Sequence, residues 1–162
     1  MHIRLATTAD ADAIGEIYNY EVANSTVTTD LVPRSPEAQR QWLTERSGAR
    51  AVLVAENEAG AVVGFASLSP YRDRPAYATT VENSIYIDRN YQGSGIGRAL
   101  LTELLEVARS HGFHTVMARV VSGHESSLGL HTALGFRVIG TEIEVARKFG
   151  RWLNMVVLQK ML

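Results

Sequence analysis

Three glycines at alternate positions, Gly93, Gly95 and Gly97, stand between an apolar alternating run that ends at Ile87 and a helical run that begins at Ile96. The stretch Gln92-Gly93-Ser94-Gly95-Ile96-Gly97-Arg98 therefore opens a helix directly out of a strand. The first amides of a helix have no intrahelical acceptor and lie at the positive end of its dipole, so such a turn can hold an anion. Glycine lets the backbone approach a pyrophosphate closely and take φ > 0 where the turn requires it. Two nucleotide readings fail on residue type. A Walker A loop needs Gly-Lys-Ser/Thr, whereas Gly97 is followed by Arg98-Ala99. A dinucleotide fingerprint needs its third glycine one place later, where Arg98 stands, and an early βαβ setting. What remains is a phosphate cradle of another kind or a tight strand–helix turn that binds nothing.

The elements around this loop follow from periodicity. Thr80 to Ile87 alternates, with Val81, Ile85 and Ile87 on one side and Glu82, Ser84 and Tyr86 on the other, which predicts the strand that leads into the loop. Ile96, Leu100, Leu101, Leu104, Val107 and Ala108 repeat at helical spacing, ending near His111-Gly112 with glycine at C′. Upstream, Ile3 and Leu5 predict a short first strand. Thr8 is placed to cap a helix with Asp10 and Asp12 in its first turn and one stripe of Ile14, Ile17, Tyr18 and Val22. Asn24 to Pro33 has no helical period and reads as a loop. Ser35-Pro36-Glu37 starts a second helix, with proline at N1, running through Trp42 and Leu43 to Ser47-Gly48. Strands over 51–55 and 62–68 flank the turn Asn57-Glu58-Ala59-Gly60, and 71–77 is a surface loop. Thr115 to Ala118 is a strand, Glu125 to Leu134 a short helix closed by Gly135 and Phe136, and 137–146 and 152–160 are the last two strands. This order predicts an α+β fold with a mixed central sheet flanked by helices, one domain over 1–162.

Composition bounds the function classes. With 162 residues the chain has the size of one domain, and no stretch reaches the roughly 20 apolar residues of a membrane span. Cysteine is absent, which excludes disulfides, thiolate metal sites and a cysteine nucleophile. A formal net charge of −1 lacks the footprint of a general nucleic-acid binder. The N-terminus carries no apolar h-region, so Asn24-Ser25-Thr26 is read as a fortuitous sequon and the compartment as cytoplasmic.

Gln92-Gly93-Ser94-Gly95-Ile96-Gly97 is similar to the pyrophosphate-binding motif of the GNAT acetyltransferases, written Q/R-x-x-G-x-G/A. Tyr71-Arg72-Asp73-Arg74-Pro75-Ala76-Tyr77, Val81-Glu82-Asn83-Ser84-Ile85-Tyr86-Ile87, Leu130-His131, Gly135-Phe136 and Lys148-Phe149-Gly150-Arg151-Trp152 resemble, in the same order, the phosphinothricin (methionine sulfoximine) N-acetyltransferase branch. The resemblance spans nearly the whole chain. It implies a GNAT fold whose glycine-loop strand and next strand splay apart, with acetyl-CoA entering the cleft. Pantetheine would pair with the strand edge at Ile85, Tyr86 and Ile87, towards Arg89, and pyrophosphate would rest on the loop from Gln92 to Arg98. The resemblance also implies a homodimer with the acceptor pocket near its interface.

Acetyl transfer to an amine needs a neutral amine, a stabilised oxyanion and a proton for the leaving thiolate. Glu82 is the candidate base: it sits in mid-strand, where glutamate is disfavoured, just before the edge expected to bind the thioester. A reference pKa of about 4.3 makes it a weak base unless burial or a relaying water helps; the alternative is a solvated strand face. The oxyanion is assigned to a backbone N–H near Ile87. By the resemblance, His131 stands where many GNAT enzymes place a tyrosine that protonates the thiolate; the alternative is a histidine that packs or contacts pantetheine. Arg72 and Arg74 are candidates to clamp the anionic part of an amino-acid acceptor, or members of a solvated loop. Thr28, within 25–30, is a further acceptor-pocket candidate.

In Ser122-Gly123-His124-Glu125-Ser126-Ser127 the branch usually has Asn where His124 stands, so His124 and Ser127 are expected at the cofactor arm with altered geometry. Asn154 likewise replaces a common Asp. His124 and His131 lack a third ligand, so no metal is expected. The function expected is N-acetylation of a small amino-acid-like amine (phosphinothricin, methionine sulfoximine or methionine sulfone type). The competing readings are acetylation of a peptide N-terminus or other amine, and an acyl-CoA-binding sensor without turnover.

Overall fold

A computed structural model of the chain describes residues 1–46 and 48–162. Strands β1 (His2–Leu5), β2 (Val52–Glu56), β3 (Val62–Pro70), β4 (Thr80–Ile87), β5 (Thr115–Val121), β6 (Arg137–Lys148) and β7 (Arg151–Met161) form one mixed sheet. Its order is β1-β2-β3-β4-β5-β7-β6. β4 and β5 run parallel, joined by helix α3 (Ile96–Ser110), and the other neighbours are antiparallel. Helices α1 (Ala11–Asn24) and α2 (Pro36–Thr44) cover one face of the sheet; α3 and α4 (Glu125–Ala133) cover the other.

The two faces sort the residues of β4. Val81, Ile85 and Ile87 pack into the α3 core with Leu100, Leu101, Leu104 and Val116. Tyr86 goes to the opposite side, stacked on Phe65 (centroids 5.3 Å apart, 27° between planes) and edge-on to Tyr18 at 5.1 Å. Alternation thus places Glu82 on the α1 face and Asn83 on the α3–α4 face.

The feature that positions the site is where the β4–β5 ladder stops. Its register runs Thr80↔Thr115, Val81↔Val116, Glu82↔Met117 and no further. Beyond that rung β4 stays paired to β3 as far as Ile87, and β5 to β7 as far as Val121. Each strand is held on its outer side, so the pair opens as a fork. The Asp88 amide donates to the Val63 carbonyl on β3 at 2.9 Å. Amides alternate in direction along a strand, so those of Ile87 and Ile85 face into the fork.

Helix starts are largely as composition predicts, with corrections at some ends. Thr8 is not the first cap. Thr7 is: its amide donates to Asp10 Oδ2 at 2.7 Å, a short 3-10 turn follows, and Asp10 then stands at the N-cap position of α1 without a side-chain bond to that helix. Asp10 is drawn back because Arg4 donates to both its oxygens at 2.8 and 2.9 Å. Ser35 caps α2 by accepting from the Ala38 amide at 3.1 Å, but this helix ends at Thr44 and not near 48; Ser47 lies outside the described residues. β5 extends three residues past Ala118, because pairing with β7 continues there.

Candidate active site

A cavity of about 300 Å³ runs through the fork. On the α1 face it is lined by Glu82, Arg119 and Thr28; on the α4 face by Asn83, Ile85, His124, Ser127 and His131. The β4–β5 register explains the first grouping. Met117 stands opposite Glu82, and Arg119, two residues on, projects from the same face.

Burial raises the Glu82 carboxyl above its ordinary value, and nearby Glu142 pushes the same way, while Arg119 and Arg72 act against them. A carboxylate destabilised by burial holds a proton more readily. Arg119 is itself held by Glu142 on β6. A guanidinium carries five N–H donors, so that contact leaves donors for an anion in the cavity.

His131 is 3 % exposed, with Ser127 O 2.8 Å from Nδ1 and Asn83 Oδ1 3.0 Å from Nε2. Burial pushes its imidazole below the usual value, and the Ser127 carbonyl pulls it back up. His124 Nε2 lies 2.9 Å from Thr26 Oγ1, so it joins the turn before α4 to the loop after α1. Burial lowers its pKa; Glu21 raises it and Arg89 lowers it further. Thr28 is anchored from three sides. Its hydroxyl is 3.2 Å from Tyr18 Oη, it accepts from the Asp30 amide at 3.2 Å, and its carbonyl accepts from Lys148 Nζ at 2.8 Å.

The glycine loop sits at the other end of the fork. Gly93 and Gly95 take φ of +76° and +85°, left-handed conformations that a Cβ disfavours. Gly95 caps α3 with no side chain bonded to the first turn, which leaves those amides available to an anion. A Cβ on Gly97 would stand 3.3 Å from Leu130 Cδ2, so this glycine lets α3 and α4 close on each other. Gln92 bonds the Ile87 carbonyl at 3.3 Å, Ser94 the Tyr91 carbonyl, and Arg98 is exposed. These features fit the pyrophosphate arm of a nucleotide-bearing thioester.

Not every expected residue converges. Arg72 and Arg74 are exposed and do not line the cavity; Arg72 lies over Tyr71 at 4.9 Å, and only its field reaches Glu82. The Tyr86 ring is committed to the aromatic cluster on the α1 face, so its contribution to an edge is its backbone. Arg119 and Asn83 are cavity residues that sequence reading misses. The signal was a cation and an amide in strands with apolar neighbours, and it acquires meaning only through a pairing 34 residues apart. Among the described residues no group of three or more His, Asp or Glu gathers as a metal site, and no helix is long and apolar enough to cross a membrane.

The family described as acetyltransferase (GNAT) domain matches residues 3–157. An L-methionine sulfoximine/L-methionine sulfone acetyltransferase of Pseudomonas aeruginosa is 38 % identical over 158 residues, covering 97 % of this chain and 92 % of the relative. The crystal structure of a phosphinothricin acetyltransferase from Sinorhizobium meliloti in complex with AcCoA superposes with a TM-score of 0.96 at 38 % identity, over 99 % of this chain and 88 % of that one. That of a ribosomal-protein-alanine N-acetyltransferase from Brucella melitensis does so with a TM-score of 0.97 at 41 % identity, over 100 % of both chains.

Proposed function

The chain belongs to the GNAT family of acetyltransferases, and on that premise we propose that it acetylates the primary amine of a small amino-acid-like acceptor of the phosphinothricin, methionine sulfoximine or methionine sulfone type. The observation that carries the reading is a cavity through the β4–β5 fork with one half-buried carboxylate, Glu82, and one guanidinium, Arg119, on a single face. An α-amino acid presents an ammonium and a carboxylate a few ångströms apart, and this pair is complementary to both.

Acetyl-CoA supplies the acetyl thioester, and its thiol is the leaving group. Gly93, Gly95 and the first turn of α3 would hold its pyrophosphate, and the free amides of Ile85 and Ile87 its pantetheine arm. Direct attack in a ternary complex fits a cavity lined from both faces of the sheet. Glu82 takes a proton from the acceptor ammonium, by way of a water if the amine stands back from it, and leaves a lone pair free to attack the carbonyl carbon. The Ile87 amide donates to the oxyanion as the C–N bond forms. Attack leaves one proton too many on nitrogen, which is shed as the tetrahedral intermediate collapses. When the C–S bond breaks, the electron pair stays on sulfur and His131 gives it a proton, the ring being restored by the one shed from nitrogen. The balance is ammonium plus thioester giving amide, thiol and one proton released through Glu82.

Two further features belong to this proposal. β6 is an outer strand with Val138, Ile139, Ile143 and Val145 about half exposed or more, an apolar edge suited to a second copy of the chain. A cytoplasmic setting suits a chain without cysteine.

The Brucella neighbour favours a second reading, acetylation of a peptide N-terminus. A panel separates the two: CoA release measured with methionine sulfoximine, methionine sulfone, phosphinothricin, an aminoglycoside and an Ala-initiated peptide. Selective turnover of the amino-acid analogues is expected. Turnover of the peptide alone overturns the acceptor class, and tight acetyl-CoA binding without turnover of any amine points to a sensor.

A further inference from the structure

Asn83 is the first residue past the last rung of the β4–β5 ladder, Glu82↔Met117, and is 6 % exposed. Its Nδ2 donates to the Met117 carbonyl at 3.1 Å, and its Oδ1 stands 3.0 Å from His131 Nε2. One side chain therefore joins three elements: β4, which carries it, β5 through Met117, and α4 through His131. We propose that Asn83 is a positioning residue for acetyl transfer, fixing where the fork opens and holding the His131 Nε2 proton at the point where the thiolate leaves.

Counting donors shows why this residue type matters. Both ring nitrogens of His131 face oxygens, Ser127 O at 2.8 Å and Asn83 Oδ1 at 3.0 Å. A neutral imidazole has one N–H and satisfies one of them; the imidazolium satisfies both. Turning the Asn83 amide over would give Nε2 a donor, but it would set Oδ1 against the Met117 carbonyl. The Met117 bond thus locks the amide with oxygen towards the histidine. Burial opposes the charged ring and the Ser127 carbonyl favours it, while Asn83 Oδ1 is placed to accept from Nε2 whenever that nitrogen carries the proton. The groups packed around the ring are Asn83 from β4, Ser127 from α4 and the Phe136 ring edge-on at 5.0 Å; no charged side chain contributes to its shift.

The inference rests on the acetyl-transfer reading, but half of its test does not require turnover. The His131 ring is titrated by NMR in the resting protein and in Asn83→Asp, Asn83→Ala and Asn83→Leu. A carboxylate at 83 should move the midpoint up by about one unit or more, and the apolar replacements should move it down. In steady state, Asn83→Ala should lower kcat about tenfold or more, with KM for acetyl-CoA changed less, and shift the basic limb of the kcat–pH profile in the same direction as the NMR midpoint. In a His131→Gln background the same change should add little, because the two residues act as a unit. If Asn83→Ala does not fold, Asn83→Asp alone decides through its upward shift. An NMR midpoint that is the same in every folded variant overturns the proposal, as does full additivity with His131→Gln. Failure of the acetyl-transfer reading would instead appear as no turnover by the unmodified protein.

Discussion

Glu82 and His131 line one cavity from opposite faces of the sheet, and the fork between β4 and β5 is the passage that joins them. The proposed base and the proposed acid are thereby kept apart, each with its own surroundings. Glu82 shares its face with Arg119 and the Thr28 loop; His131 shares the other with Asn83 and the start of α4. In the proposed reaction, two titratable groups in different environments would let one chain take a proton at one end and give one at the other.

The burial that tunes Glu82 has a cost in stability with a definite sign. Its folded pKa lies above the unfolded value, so its favourable contribution exists below the unfolded pKa and is lost as pH rises. Glu82→Gln should therefore raise the melting temperature at pH 7–8, with the gain shrinking towards pH 4. Thermal unfolding across that range checks it; a variant less stable than the parent at pH 7.5 contradicts the environment described for this carboxylate.

Arg119 should carry recognition of the acceptor's acid group. Arg119→Ala is expected to raise KM for an amino-acid acceptor by roughly 10- to 100-fold, the value of a hydrogen bond to a charged group. The corresponding amine lacking its carboxylate should be affected little. Equal losses for both acceptors would assign Arg119 to its contact with Glu142 alone.

Gly95 is required for two separable reasons. Gly95→Ala places a Cβ at φ +85°, a strain of about 1–2 kcal/mol, which for a chain of this size lowers the melting temperature by about 2 to 8 °C. It also disturbs the amides at the start of α3, so acetyl-CoA binding measured by calorimetry should weaken. Loss of stability with unaltered binding would remove the loop from the cofactor site.

The apolar edge of β6 predicts the assembly state. The protein should sediment as two chains, and Ile143→Asp, at a side chain 69 % exposed, should give single chains. A parent protein that sediments as one chain refutes the dimer.

How much of this was legible beforehand depended on the range of the cause. The alternation from Thr80 to Ile87 is local, and β4 has those bounds. The Asn57–Gly60 turn is equally local, and Asn57 closes it by accepting from Ala59 and Ala61 at 3.0 Å each. Glu82 was legible because a glutamate in an apolar strand is unusual. Asn83 and Arg119 were not: nothing near Asn83 announces that the ladder to Met117 stops beside it, and Arg119 joins Glu82 only once β4 and β5 are parallel neighbours. Arg72 and Arg74 are clamp candidates because the branch motif falls on both, and the loop leaves both exposed and outside the cavity lining. Local chemistry showed which residues were suited to act, and long-range pairing decided which of them meet.

The most direct test of the central claim is CoA release from acetyl-CoA with methionine sulfoximine, followed from pH 6 to 10 for the protein and Glu82→Gln. Selective turnover is predicted, with kcat near neutral pH falling about 10²-fold or more in the variant and recovering partly at high pH, where the amine is neutral without help. Turnover that is unchanged by the substitution at pH 7 would contradict Glu82 as the base, and the acceptor-side geometry built around it.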